Sequence, residues 1–193
     1  MPYEERYSKI QEKMLNTFTK KEIDRALLLK NKQDKENPWF ELDLLVLGDS
    51  VAAGRPRSTV RWKGKGKEKK FSGIQVYDDP KTRDYKIMLR KIIETKLSSD
   101  FVPVKGQVEI TIDIFKKMPV STSRIRMYLG ELGYIRPLPK PDNDNYAKSV
   151  MDAVKGILWK DDAQCVDTFI SKWYSIKPRM EIHIEYCQHR LDI

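Results

Sequence analysis

The run Lys140-Pro141-Asp142-Asn143-Asp144-Asn145-Tyr146-Ala147-Lys148 sets two carboxylates at i and i+2 before a helical pattern. A third, Asp162, follows across a short turn in Leu158-Trp159-Lys160-Asp161-Asp162-Ala163-Gln164. Carboxylates so spaced can converge on one hard cation. Mg²⁺ takes oxygen ligands at about 2.0–2.1 Å and keeps several waters, so a few carboxylates plus a phosphate oxygen suit it. Such an ion polarises a phosphodiester and acidifies a bound water, which is hydrolytic chemistry. Lys148, one helical turn beyond Asp144, is placed to stabilise charge growing on a phosphate in the transition state. Asp152, a turn further along the same face, is placed to hold that ammonium. Asn145 is placed to orient a carboxylate or to bind a backbone. The plain alternative is a helix cap at Asp-x-Asp-Asn and an exposed turn at Lys160-Asp161-Asp162, and spacing alone does not choose between the two.

The elements that must position these residues can be read on either side. Tyr7, Ile10, Met14, Leu15 and Phe18 recur at helical spacing, and Thr19-Lys20-Lys21-Glu22 offers a capping box for a continuation through Leu29, so residues 3–33 read as one or two helices. A polar linker is expected from Lys30 to Asn37. Leu42–Leu47 reads as a short buried strand, Ser58–Trp62 and Ile74–Tyr77 as extended segments, and Lys63–Lys70 as an exposed loop too rich in Gly and Lys to bury anything. Asp78-Asp79-Pro80 launches a helix whose stripe Tyr85, Met88, Leu89, Ile92, Ile93 and Leu97 belongs to the core. Val108–Phe115 alternates with period two, as a half-buried strand does. A proline-rich connection over 118–141, with a short helix near 123–132, leads to a helix over Asn145–Lys155 closed by Gly156. Strands over Gln164–Trp173 and Met180–Cys187 complete an α+β fold: a single mixed-sheet domain with packed helices over residues 42–193, preceded by a helical N-terminal extension over 1–41.

Composition narrows the partner. The 193 residues carry a net charge of +9, with 40% hydrophobic and 34% charged side chains, and a mean hydropathy of −0.61. Residues 1–43 balance acid against base, so the excess lies beyond them and is densest from Arg55 to Lys70. Clustered Lys and Arg neutralise phosphates, which points to nucleic acid rather than to a membrane surface. Nothing has the length of apolar sequence needed to span a bilayer, and no secretory or lipidation signature is present, so a cytoplasmic protein is expected. Cys165 and Cys187 lack metal-ligand spacing and are expected as reduced thiols, with His183 and His189 structural or solvent-facing.

The motif Lys-Pro-Asp-Asn-Asp-Asn-x-x-Lys-Ser-Val-Met-Asp-Ala-Val-x-Gly-x-x-Trp-Lys-Asp-Asp-Ala-Gln resembles the signature of the RusA-like Holliday-junction resolvases, many of them carried by phages and prophages. The resemblance extends over roughly residues 44–187 and includes Gly54-Arg55-Pro56-Arg57. It implies a Mg²⁺-dependent endodeoxyribonuclease, with Mn²⁺ as a substitute ion, that resolves four-way junctions by paired phosphodiester hydrolysis in DNA recombination and repair. It implies that Asp142, Asp144 and Asp162 bind the metal and that Lys148 assists. It implies DNA contacts at Arg55 and Arg57, and at Arg136 and Lys140 ahead of the aspartates; Arg61, Lys63, Lys65 and Asn145 complete the expected DNA-binding set. A homodimer, each copy cutting one strand of a branched DNA, is the implied assembly. The arm over residues 1–40 and the length of the Lys-Gly tract depart from the family pattern. The alternatives are a branched-DNA nuclease of broader range, acting on flaps or forks, a non-catalytic DNA-binding module, and an enzyme directed at RNA.

Overall fold

A computed structural model describes residues 17–64 and 69–190. The chain divides into two compact units, of which the second, Phe40–Arg190, contains the sheet and the candidate site. In the first unit lies helix α1 (Lys20–Glu36). Its capping box forms as expected: the Thr19 amide donates to Glu22 Oε2 at 2.8 Å and the Glu22 amide to Thr19 Oγ1 at 3.4 Å. Residues 3–16 of the expected helical arm lie outside the described residues. The expected linker from Lys30 is instead the last two turns of α1. Lys, Gln and Glu are good helix formers, and Lys32 and Glu36 form an i,i+4 pair at 3.8 Å.

The second unit contains β1 (Trp39–Leu47, entered from the first unit), β2 (Arg57–Lys63), β3 (Lys70–Tyr77), α2 (Pro80–Glu94), β4 (Val108–Lys117), α3 (Arg124–Glu131), α4 (Asn143–Val154), a 3₁₀ turn (Asp162–Gln164), β5 (Cys165–Ser175) and β6 (Arg179–Cys187). Four strands form one sheet in the order β1-β6-β4-β5, while β2 and β3 form a separate pair. β4 runs parallel to β5 and antiparallel to β6, so the sheet is mixed and the α+β expectation holds.

Alternation builds the core. Val108, Ile110, Ile112 and Ile114 of β4 point to one face with Met180, Ile182 and Ile184 of β6 and Leu44 and Val46 of β1. They share one cluster with Tyr85, Leu89 and Ile93 of α2 and Tyr146, Val150, Ala153 and Val154 of α4. β1 corrects an expectation. It buries alternate residues only: Leu44 and Val46 face the core, while Leu45 and Leu47, on the opposite face with Asp43, are exposed. Lys63 and Lys70 also depart from the expected loop: they are paired strand residues of the β2–β3 hairpin, and 65–68 lie outside the described residues.

α2 begins as its sequence dictates. Asp79 is the N-cap, accepting from the Lys81 and Thr82 amides, and Pro80 occupies the first turn where its missing N–H costs nothing. α4 starts two residues earlier than expected, because extended Asp142 is its N-cap and Asn143 and Asp144 enter the first turn. Gly156, at φ +81°, ends it as expected.

Candidate active site

α4 belongs to the crossover between the parallel strands β4 and β5, so its first turn lies by the carboxyl end of β4. Ligands in α/β crossovers gather at that end of the strands. Lysines fix it there. Lys116 Nζ, on β4, donates to the Lys140 carbonyl at 3.1 Å, and Lys172 Nζ, on β5, to the Pro141 carbonyl at 3.2 Å. Partial burial, and then the neighbouring charge of Lys172, lower the pKa of Lys116. The two ammonium groups are thus close enough to feel each other. Asn143 adds a bond from Nδ2 to the Ile170 carbonyl at 3.2 Å.

Asp142 occupies the N-cap position without a side-chain bond to the helix amides, and both it and Asp144 are exposed. A carboxylate at an N-cap ordinarily accepts from the first-turn N–H groups. This one leaves its oxygen lone pairs for another partner. Lys148 is exposed on the next turn of the same helix. The helix dipole adds positive potential that favours anions, whether carboxylate or phosphate, at this end.

The same end gathers several expected DNA contacts. The Ala53 amide donates to the Asn145 carbonyl at 2.8 Å, tying the segment that bears exposed Arg55 and Arg57 directly to α4. Asn145 thus contributes a backbone atom here. Gly54 leaves room for the Asp79 carboxylate: a Cβ there would meet Asp79 Oδ2 at 2.8 Å and displace it. Asp79 itself has a lowered pKa, chiefly because the Thr82 hydroxyl donates to it, with the charge of Arg57 contributing last. Lys140 is exposed, and Arg61 and Lys63 are exposed on β2, whereas Lys65 lies outside the described residues. Arg136 is held rigidly, its guanidinium 3.3 Å above the Trp173 ring and its Nε donating to the Lys172 carbonyl at 2.5 Å.

Asp162 stands elsewhere. Its Oδ1 accepts from Trp159 Nε1 at 3.1 Å and its Oδ2 from Lys155 Nζ at 3.2 Å, just past the carboxyl end of α4. The 12 residues of α4 rise by roughly 18 Å, so this arrangement does not bring Asp162 to the Asp142–Asp144 end. Among the described residues no group of three His, Cys, Asp or Glu side chains is gathered closely enough to hold a metal ion. The pair Asp142–Asp144 nonetheless offers the donor chemistry Mg²⁺ uses, one or two free carboxylates completed by water and phosphate. Asp152 does not hold Lys148. It accepts instead from Lys86 Nζ at 2.8 Å, and Asp78 accepts from the same ammonium at 2.8 Å. Sequence reading missed Lys86, whose only signal is its place on the otherwise apolar face of α2. Cys165 has its thiol pushed up to about 11 by burial, with the charge of Asp162 adding to the rise.

The family model for "Endodeoxyribonuclease RusA" matches residues 52–185. The chain belongs to the RusA family of endodeoxyribonucleases. The match spans the Arg55–Arg57 segment, the whole of α4 and the Asp162 turn, so every candidate residue from Arg55 to Asp162 falls within the RusA region. The chain is also similar to the uncharacterized protein YqaN of Bacillus subtilis (strain 168), at 35% identity over 141 residues, which cover 72% of this chain and 92% of that protein. Among the described residues no helix is long and apolar enough to cross a membrane.

Proposed function

We propose that this RusA-family chain is a Mg²⁺-dependent endonuclease that resolves Holliday junctions by paired phosphodiester hydrolysis in DNA recombination and repair, acting as a homodimer on four-way DNA. The observation that carries the reading is the uncapped, exposed carboxylate of Asp142 beside Asp144 at the amino end of α4, in a surround of Lys116, Lys172, Lys140, Arg55 and Arg57. Carboxylates concentrated within a cationic rim suit a substrate that is itself an anion and that arrives with a divalent cation.

The bound Mg²⁺, or Mn²⁺ in its place, supplies Lewis-acid polarisation of the scissile phosphate and a water of lowered pKa. Asp142 and Asp144 hold that ion in this reading, and Asp162 is the further ligand that family likeness assigns. Lys148 sets an ammonium against the charge that develops on the phosphate. The Arg55–Arg57 segment, Arg61, Lys63, Lys65, Arg136 and Lys140 hold the DNA backbone and so fix its register, because phosphate contacts position without reading sequence.

The test is cleavage of a synthetic four-way DNA junction beside a matched linear duplex, with Mg²⁺ and with EDTA. Paired symmetric nicks on the junction alone, in Mg²⁺ alone, are the expected result. Equal cutting of forks or flaps would replace the resolvase reading by a broader branched-DNA nuclease, and junction binding without any cutting would overturn it.

A further inference from the structure

Between α3 and the segment leading to Asp142 lies a cavity of about 360 Å³, walled by Met118, Leu138, Pro139 and Tyr174 and flanked by Arg126 and Arg136. None of these residues except Arg136 belongs to the site described above. The cavity lies close to that site. Tyr174 and Lys116 are register partners, and Lys172, which donates to the Pro141 carbonyl, is two residues from Tyr174 on the same face of β5. Two strand residues span roughly 7 Å.

We propose that this cavity receives one nucleobase extruded from the branch point of branched DNA, stacked against Tyr174, with the flanking phosphate held by Arg126 and Arg136. The proposal rests on the reading of the chain as a nuclease of branched DNA and adds how a branch is distinguished from duplex. Three observations carry it. Apolar and aromatic walls with two cations at the edge match the two halves of a nucleotide, a flat ring and an anion. The volume lies at the lower end of the range of about 300–1,000 Å³ typical of small-ligand sites, as one nucleotide requires. Arg136 is already immobilised by the Trp173 ring and the Lys172 carbonyl, so its remaining N–H groups are preorganised for a phosphate. A base inside duplex DNA is held by pairing and by stacking neighbours on both sides, whereas a paired base at a branch point lacks the continuous stack and is extruded at lower cost. The cavity therefore favours branched DNA without reading its sequence.

The experiment uses the full chain in EDTA, so that no cutting intervenes, and compares affinity for a four-way junction with affinity for a matched linear duplex by fluorescence anisotropy. Thr122→Trp fills the cavity, since Thr122 lines it. Arg126→Ala removes an exposed side chain and leaves the core untouched. Thr122→Trp is expected to weaken junction binding about tenfold or more, the scale of one lost base stack, and Arg126→Ala to weaken it severalfold by removing a phosphate contact. Thr122→Trp is expected to leave duplex binding nearly unchanged. A wild-type junction carrying 5-iododeoxyuridine at the branch is expected to photocrosslink to the peptide containing Tyr174 or Met118. Unchanged junction affinity in the Arg126→Ala chain, or crosslinks only to other peptides, would overturn the proposal. Because these readouts need no metal, absence of Mg²⁺-dependent cutting would sink the nuclease reading while leaving the cavity to be judged separately.

Discussion

Lys86 of α2 donates to Asp152 of α4, both atoms being 2.8 Å apart, and not Lys148 but Lys86 is therefore the cation on that carboxylate. The consequence is that the Lys148 ammonium stands exposed one turn from Asp144. Lys148→Ala is expected to lower the cleavage rate by about 10²–10³-fold, the cost of removing one charge-stabilising donor. Junction binding in EDTA should change little. Asp152→Asn should reduce the rate far less, and a comparable loss in single-turnover cleavage would mean that Asp152 positions Lys148 after all.

Asp142→Asn and Asp144→Asn are each expected to reduce Mg²⁺-dependent cutting by about a hundredfold or more, at least the loss seen when a supporting ligand residue is changed. Binding in EDTA should persist, because the phosphate contacts remain. Cutting at the wild-type rate by either variant would remove that residue from the metal set.

Asp162 and Asp142 lie at opposite ends of α4, whose 12 residues rise by roughly 18 Å. If one ion uses both with α4 and the Asp162 turn in this arrangement, they come from different copies. An equimolar mixture of Asp142→Asn and Asp162→Asn chains, unfolded and refolded together, is then expected to recover cutting that neither has alone. No recovery would place both ligands in one chain and require the Asp162 turn to rearrange.

Burial alone would lower the pKa of Lys86, yet its bonds to Asp152 and Asp78 outweigh that and raise it. Its side chain is 15% exposed, so the bridge is mostly sheltered from solvent screening. Lys86→Met keeps the apolar stem but strands two carboxylates, and should cost roughly 1–3 kcal/mol in urea unfolding at neutral pH. Restored stability is expected when Asp152→Asn is added. Equal stability of Lys86→Met and wild type would show the bridge to be energetically silent.

His183 bridges Asp43 at 2.8 Å and Glu185 at 3.3 Å on the face of the sheet opposite Ile182 and Ile184, which pack with α2 and α4. The bond to Asp43 raises its pKa against an opposing effect of burial, with Glu185 adding to the rise. A pKa raised in the folded state stabilises the protein most fully below the unfolded value of about 6.5, and that contribution disappears as pH climbs through the folded value. The His183→Gln chain should therefore lose stability relative to wild type at pH 6, with the gap narrowing above neutrality. Half-exposure keeps the effect small. A gap independent of pH would assign it to packing instead.

Much of this architecture is legible locally. The Thr19–Glu22 box, the Asp79-Pro80 launch of α2, the period-two run of β4 and the Gly156 stop each depend on neighbours in sequence, and each appears where those neighbours place it. The candidate site is legible in its chemistry and less so in its geometry. Asp142, Asp144 and Lys148 share one helix, so spacing reports their proximity. Asp162 is separated from them by the return turn, whose path depends on Trp159 burying fully and donating to Asp162. The Lys86 bridge and the Arg136–Trp173 stack are long-range contacts between elements, and no local pattern announces them. The exposure of Leu45 and Leu47 was hidden for a related reason: they look like core residues until it is known which face of the sheet is packed.

The hydrogen bond from the Ala53 amide to the Asn145 carbonyl has a mechanical meaning. In the proposed reading, a branched DNA that bends or twists while anchored on Arg55 and Arg57 would exert its load on that peptide. Asn145 stands one residue from Asp144 and three from Asp142, so the path from that peptide to the carboxylates is short. On that reading grip and blade are joined by one short backbone link, by which strain in the substrate would reach the carboxylates.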